Sequence, residues 1–133
     1  MFPVLDVVAF VCINDRKVLV VKSYNKDRFY FTGGKRSEGE TDIQAIYREV
    51  KEEVNAEIDL FSLNHLMTFE AEAHGHANGQ LVKMVCYTGK LKTKALINSE
   101  ISELKWIKAQ DLEICASATQ IVIKNLKEMN LID

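Results

Sequence analysis

Proline is all but missing from this chain, with one residue in 133 and only six glycines beside it. Breakers this sparse leave little room for linkers, and no internal repeat or low-complexity segment interrupts the sequence. One compact domain is expected, at a length that suits a single globular unit with a real core. Cysteine is scarce too. Cys12, Cys86 and Cys115 are odd in number, widely spaced and without a CxxC pair, so they read as reduced packing residues of a cytoplasmic protein. Neither sign of charge dominates: 17 basic against 19 acidic residues give a net charge of −2. That balance provides no general basic surface and argues against a nucleic-acid polymer as partner, while leaving room for one nucleotide in a locally charged pocket. Long apolar runs are absent, since no stretch approaches the roughly 20 residues that span a bilayer. The apolar opening MFPVLDVVAFVCIN has no leading Lys or Arg, carries Asp6 and lacks a small-residue cleavage site, so it reads as a strand and not a signal peptide. A soluble protein without a membrane partner is expected.

What is present alternates between strand and helix signals. Residues 4–13 and 17–21 are rich in β-branched side chains and flank Asn14-Asp15, which predicts a hairpin. Residues 29–31 form a short aromatic strand, and a loop is expected from Thr32, where Gly33 and Gly34 permit backbone shapes barred to other residues. From residue 42 to 55, Ile43, Ile46, Tyr47, Val50 and Val54 recur at helical spacing, a stripe expected to face a sheet. Thr41 with Gln44 forms a capping-box pattern, and Asn55 suits the left-handed end. Strands are expected at 63–72 and 80–91, around a polar stretch holding the Asn78-Gly79 turn, and at 104–107 around Trp106. A helix over 119–129 would dock through Ile121, Val122, Leu126 and Met129. Strands with two principal helices imply an α+β or mixed α/β sandwich.

The first helix carries the chemistry. With its apolar stripe inward, Arg48, Glu49, Glu52 and Glu53 are expected on the flank and outer side. Glu49 and Glu53 are i, i+4 neighbours whose like charges repel by roughly 0.2–0.5 kcal/mol when exposed, unless a cation lies between them. Hard carboxylate oxygens with incomplete ligation suit Mg²⁺, which keeps several waters and takes further ligands from phosphates. Arg48 is i, i+4 from Glu52 and can orient the acidic cluster by charge-assisted bonds. Acidic outer faces are common on soluble helices, so the spacing is what distinguishes this one.

Gly34, five residues, Glu40, seven residues, then Arg48-Glu49-Val50-Lys51-Glu52-Glu53-Val54-Asn55-Ala56 closely resembles the Nudix box, G-x5-E-x7-R-E-U-x-E-E-x-G-U with U aliphatic. Asn55 replaces the family's Gly, and Thr32 stands where many members carry Pro. The resemblance implies an α/β/α sandwich around a mixed sheet. It also implies hydrolysis of a nucleoside diphosphate linked to another group. Glu49, Glu52 and Glu53 carry over as Mg²⁺ ligands, with Mn²⁺ as a substitute, and Glu40 and Arg48 as their supports. The metal would neutralise charge in an in-line displacement at phosphorus and acidify a water. Glu49 or Glu52 could take the proton, or a glutamate outside the box. The segment EISELKW at 100–106 resembles the corresponding family region, which makes Glu100 and Glu103 candidates.

Arg28 and Lys35, flanking the aromatic strand and glycine loop, are candidates to hold phosphate beside Gly34. Of Tyr30, Phe69 and Trp106, Tyr30 is the candidate to stack on a base, the others being expected in the core. His74 and His76 lack further zinc ligands, and His65 is expected to be structural. A MutT-like enzyme cleaving nucleoside triphosphates is the leading expectation, acting on a small nucleotide-like substrate as monomer or homodimer. ADP-ribose or nucleotide-sugar hydrolysis is the alternative, since fold and box do not fix substrate. A non-catalytic nucleotide sensor would have lost acidic ligands, and diphosphate isomerisation would need its own protonating Cys and Glu.

Overall fold

The computed structural model describes residues 3–73 and 79–133. His74, His76 and the Asn78 of the expected turn lie outside the described residues. Strand β1 (Leu5–Asn14) is the axis of the molecule. Its alternation sends Val8, Phe10 and Cys12 to one face and Ala9 and Val11 to the other, and all five are buried. Strand β2 (Lys17–Ser23) repeats the pattern, with Leu19 and Val21 on the first face and Val18 and Val20 on the second. Strands apolar on both faces need a layer on each side. Helix α1 (Asp42–Val54) supplies one through Ala45, Ile46, Val50 and Val54; helix α2 (Ser117–Glu128) supplies the other through Val122, Ile123 and Leu126. The result is the expected α/β/α sandwich.

The sheet has six strands in the order β4-β5-β1-β2-β6, counting β3 (Thr32–Lys35), β4 (Ile58–Glu72), β5 (Leu81–Leu91) and β6 (Ile101–Ile107), with β3 paired to β1 off that path. It is mixed because β1 and β5 run parallel from Leu5↔Val82 to Cys12↔Gly89, while the other pairs are antiparallel. One edge of β1 is divided between two partners. Residues Val7 to Phe10 pair with β3, whereas only Ile13 and Asn14 pair with β2, which then diverges to join β6.

Several local expectations are corrected. The hairpin turns at Asp15-Arg16, not Asn14-Asp15: φ is 51° and 59° there, the left-handed pair a two-residue loop requires, and Asn14 stays paired with Lys17. Thr32-Gly33-Gly34-Lys35 is a strand and not the start of a loop. The aromatic strand before it reduces to single bridges, Val21↔Tyr30 and Phe29↔Cys115. A 3₁₀ turn over Ala109–Ile114 was not anticipated. Strands β4 and β6 and helix α2 begin earlier than expected.

Helix α1 is closed at both ends as its sequence predicts. The Thr41 hydroxyl accepts from the Gln44 N–H at 3.1 Å while the Gln44 side chain accepts from the Thr41 N–H at 2.9 Å. Asn55 ends the helix at φ 49°, ψ 39°. The buried face, however, is rotated from the expected stripe, leaving Ile43 and Tyr47 about two-fifths exposed and turning Glu49 and Glu53 inward. Ile121 and Met129 of the last helix likewise point outward, and Ala118, Thr119 and Ile123 take their place. The three cysteines are free and buried.

The left-handed cap yields a first test. Asn55→Ala should lower unfolding free energy by about 1 kcal/mol, since a Cβ without a compensating polar group is disfavoured there, whereas Asn55→Gly should be neutral or stabilising. Urea denaturation of the three proteins checks it; an Ala variant as stable as wild type would remove the cap's role.

Candidate active site

The spacing of Gly34, Glu40 and Arg48 acquires a physical meaning in one guanidinium. Arg48 Nε and Nη2 both donate to the Glu40 carboxylate at 2.8 Å, a two-pronged bond, while Nη1 donates to Glu49 Oε1 at 2.7 Å. Nη2 also reaches the Lys35 carbonyl at 3.2 Å. Glu40 in turn accepts the Ser37 N–H at 2.7 Å. Arg48 thus ties the segment after β3 to α1, and bidentate charge-assisted bonds of this kind fix geometry as well as contribute energy. The expected partner Glu52 is the more distant one, at 3.6 Å and largely exposed. Hydrogen bonds from Arg48 and from the Ser37 backbone hold the Glu40 carboxyl down to about 2, and Glu40 in return pushes the Arg48 guanidinium up.

On the inner side, the Gly33 N–H donates to Glu53 Oε1 at 2.8 Å. Gly33 allows this because its φ is 143° and a Cβ there would stand 2.1 Å from the Val8 carbonyl. A Cβ on Gly34 would come within 2.9 Å of the Glu49 carboxylate. Gly33 therefore serves close approach of β3 to β1, and Gly34 close approach of β3 to helix α1, where the Glu49 carboxylate occupies the space. Burial is the main cause that pushes the Glu53 carboxyl up to about 8, opposed by the Gly33 hydrogen bond and reinforced by the charges of Glu49, Glu100 and Glu52. Glu49 is also raised, chiefly by burial, with Arg48 acting against it. Glu53 belongs on the inner face because it is seven residues after Ile46 and three after Val50. That helical arithmetic was available in the sequence, but the apolar residues alone were counted.

Glu100 and Glu103 part company. Glu100 adds its charge to the surroundings of Glu49 and Glu53, and its segment is held by Asn98 N–H donating to the Glu53 carbonyl and Leu96 N–H to that of Val54. Glu103 lies opposite Lys22 in the β2–β6 register and pairs with it at 3.3 Å.

A cavity of about 250 Å³ opens beside Glu53 where β2 leaves β1. Tyr30, Phe31, Gly33 and Gly34 line it, together with Lys26 and Thr119, which sequence reasoning missed because they lie far from the box. Burial and the charge of Asp27 raise the Tyr30 phenol. Arg28 and Lys35 are not brought there: Arg28 Nη1 donates to the Glu113 carbonyl at 2.6 Å, and Lys35 is exposed, offering its carbonyl to Arg48. Phe69 and Trp106 pack against the two cores as expected, and His65 bonds the Thr68 hydroxyl at 2.7 Å.

The NUDIX domain model matches residues 3–126 of the chain. Among solved structures, a MutT NUDIX hydrolase from Burkholderia pseudomallei is 18% identical with a TM-score of 0.80, covering 92% of this chain and 98% of its own. A NUDIX hydrolase from Nitrosomonas europaea is 17% identical, TM-score 0.79, covering 96% and 90%. The NUDIX domain of Shewanella oneidensis NrtR, complexed with ADP ribose, is 22% identical, TM-score 0.75, covering 98% and 90%. No curated protein matches the sequence. The chain belongs to the NUDIX family and is a hydrolase acting on pyrophosphate bonds.

The residues present suit the divalent metal such enzymes use. Glu49, Glu52, Glu53 and Glu100 are hard oxygen donors, and beside burial, the main cause, the charges of the other three raise the Glu53 carboxyl, a repulsion that a cation would relieve. Among the described residues, no three acidic, His or Cys side chains already surround a common point; Glu49 is turned to Arg48 and Glu53 to Gly33. Ligation would thus recruit carboxylates from hydrogen bonds they now make.

Because Glu53 titrates higher in the fold than in the open chain, metal-free protein should be most stable, as far as this group goes, below about 4.5, the ordinary value. It should lose that stability as pH rises toward about 8. Glu53→Gln should flatten this dependence. Urea midpoints across the window in EDTA test it, and parallel curves for both proteins would contradict the assignment.

Proposed function

We propose that the chain is a Mg²⁺-dependent, MutT-like enzyme that cleaves nucleoside triphosphates to the monophosphate and pyrophosphate. The observation that carries this reading is the cavity beside Glu53: it holds an aromatic wall, Tyr30 and Phe31, next to a carboxylate cluster on one rigid helix. A base against Tyr30 would place its phosphates toward Gly34 and the glutamates. Lys26 supplies a cation at the cavity in the role first considered for Arg28 and Lys35. The three buried, free thiols fit a reducing cytoplasm.

Mg²⁺ held by Glu49, Glu52 and Glu53 would supply charge neutralisation on the phosphate oxygens and a more acidic water. The protein does the rest. Arg48, fixed by Glu40, aims Glu49; the Gly33 N–H restrains Glu53; Glu100, exposed on the segment before β6, would accept a proton. ADP-ribose or nucleotide-sugar hydrolysis is the second reading, favoured by the likeness to the ADP ribose complex. A non-catalytic sensor is disfavoured by retention of Glu49, Glu52 and Glu53 together.

A hydrolysis screen over dNTPs, oxidised dNTPs, ADP-ribose and nucleotide sugars, with products resolved by chromatography, tests the substrate. Pyrophosphate release from triphosphates is expected; turnover of ADP-ribose alone would transfer the reading to the alternative. Glu53→Gln should lose about 100-fold or more in turnover, and EDTA should abolish activity while leaving the circular dichroism spectrum intact. Unchanged turnover in the variant would sink the metal assignment.

The two outer glutamates make a separate comparison. Glu100→Gln should depress kcat by about 100-fold with KM nearly unaltered and flatten the acidic limb of the rate profile. Glu103→Gln, losing only an exposed pair with Lys22, should behave as wild type. The reverse order would assign proton transfer to Glu103, and no effect from either would return it to the box carboxylates.

A further inference from the structure

A second cavity, of about 550 Å³, lies at the opposite end of β1 and has no lining residue in common with the one beside Glu53. It opens where the parallel strands β1 and β5 both end. Leu104 and Trp106 of β6 form an apolar and aromatic wall, Asn14 and Thr93 offer polar groups, and Lys90 and Lys94 supply two cations. No acidic side chain among the described residues lines it. Lys90 is held by its Nζ donating to the Ile13 carbonyl at 3.3 Å, and its charge acts on the Cys12 thiol in the cavity wall. Trp106 is only half-buried.

We propose that this cavity is a binding site for a nucleoside monophosphate or a similar phosphorylated planar ring, with the ring against Trp106 and the phosphate between Lys90 and Lys94. The size falls within that of small-molecule sites, roughly 300–1,000 Å³. An aromatic face accepts any planar base, and two ammonium groups without a competing carboxylate select an anion over a neutral nucleoside. The site is independent of the catalytic reading, because it uses neither the carboxylate cluster nor the cavity beside it.

Trp106 is the sole tryptophan of the chain, so its fluorescence reports on this cavity. Adenosine monophosphate titrated into the intact protein in EDTA, with excitation at the red edge where adenine does not absorb, should quench it saturably. Lys94→Glu should raise the apparent Kd about tenfold or more, as expected for a lost charge-assisted contact. Lys94→Gln should act in the same direction by less, and Glu53→Gln should leave the titration unchanged. Adenosine and inorganic phosphate should each bind more weakly than the nucleotide. Absence of saturable quenching, quenching unaffected by both Lys94 variants, or quenching lost in Glu53→Gln would overturn the proposal. Phosphate binding as tightly as the nucleotide would overturn the role of Trp106, and adenosine doing so would overturn that of the lysines.

Discussion

The bidentate bond of Arg48 on Glu40 is the constraint on which the catalytic region depends. The segment from residue 36 to 41 contains no helix or strand, so beyond the backbone bonds of Arg36 to Asp6 and Glu40 to Ser37 its path is specified by side chains. Glu40 supplies that specification by accepting from Arg48 and Ser37 at once. The same guanidinium bonds Glu49 and the Lys35 carbonyl, so loop, strand end and helix are positioned by one group. Removing Arg48 would leave Glu40 and Glu49 without the cation they share, which is costlier than losing an isolated surface pair, whereas removing Glu40 would leave Arg48 its bond to Glu49.

Opposing that order is the accumulation of like charge at the inner edge of the same helix. Glu53 is turned into the fold with Glu49, Glu52 and Glu100 nearby, and only a backbone N–H offsets its burial. Local choices that conflict with the general rule of exposing charge are found where function demands them. Here the conflict is confined to one turn of a helix whose ends are both well capped.

The reach of sequence reasoning can be traced residue by residue. Helix α1 was legible because Thr41, Gln44 and Asn55 mark its ends with side chains that act locally. The two covered faces of β1 and β2 were legible as runs of β-branched residues. Gly33 uses the backbone freedom that the sequence suggests, at φ 143°, but the pair misled as a loop signal, because the two glycines also lack side chains beside Val8 and Glu49, contacts between segments distant in sequence. The rotation of α1 was hidden for a similar reason: Ile43 and Tyr47 fit the helical period as well as Ile46 and Val50 do, and only the position of β3 selects between faces. Lys26 and Thr119 enter the cavity through the path of the chain after β2 and the docking of α2, neither of which leaves a local signal. The box and its acidic residues were legible by spacing; their joint placement with Glu100 was not.

The divided edge of β1 has a consequence for how such an enzyme can change. Strands β1 and β3 form the fixed wall of the cavity, since each residue there is also a rung of the sheet and a shift in one would break the register of its neighbours. The segment between β2 and β3 is attached differently. It crosses the opening with two backbone bonds between Val21 and Tyr30, a pair joining Phe29 to Ile114 and Ala116, and one from the Tyr24 N–H to the Glu100 carbonyl, and Tyr24, Asn25, Asp27 and Arg28 along it are exposed. Substitutions in that crossing can reshape what enters the cavity while the carboxylate-bearing helix keeps its place. The crossing is thereby mechanically separate from helix α1 and tied to the carboxylates only through the Tyr24 bond to the Glu100 backbone, so its sequence can drift without unfolding that helix.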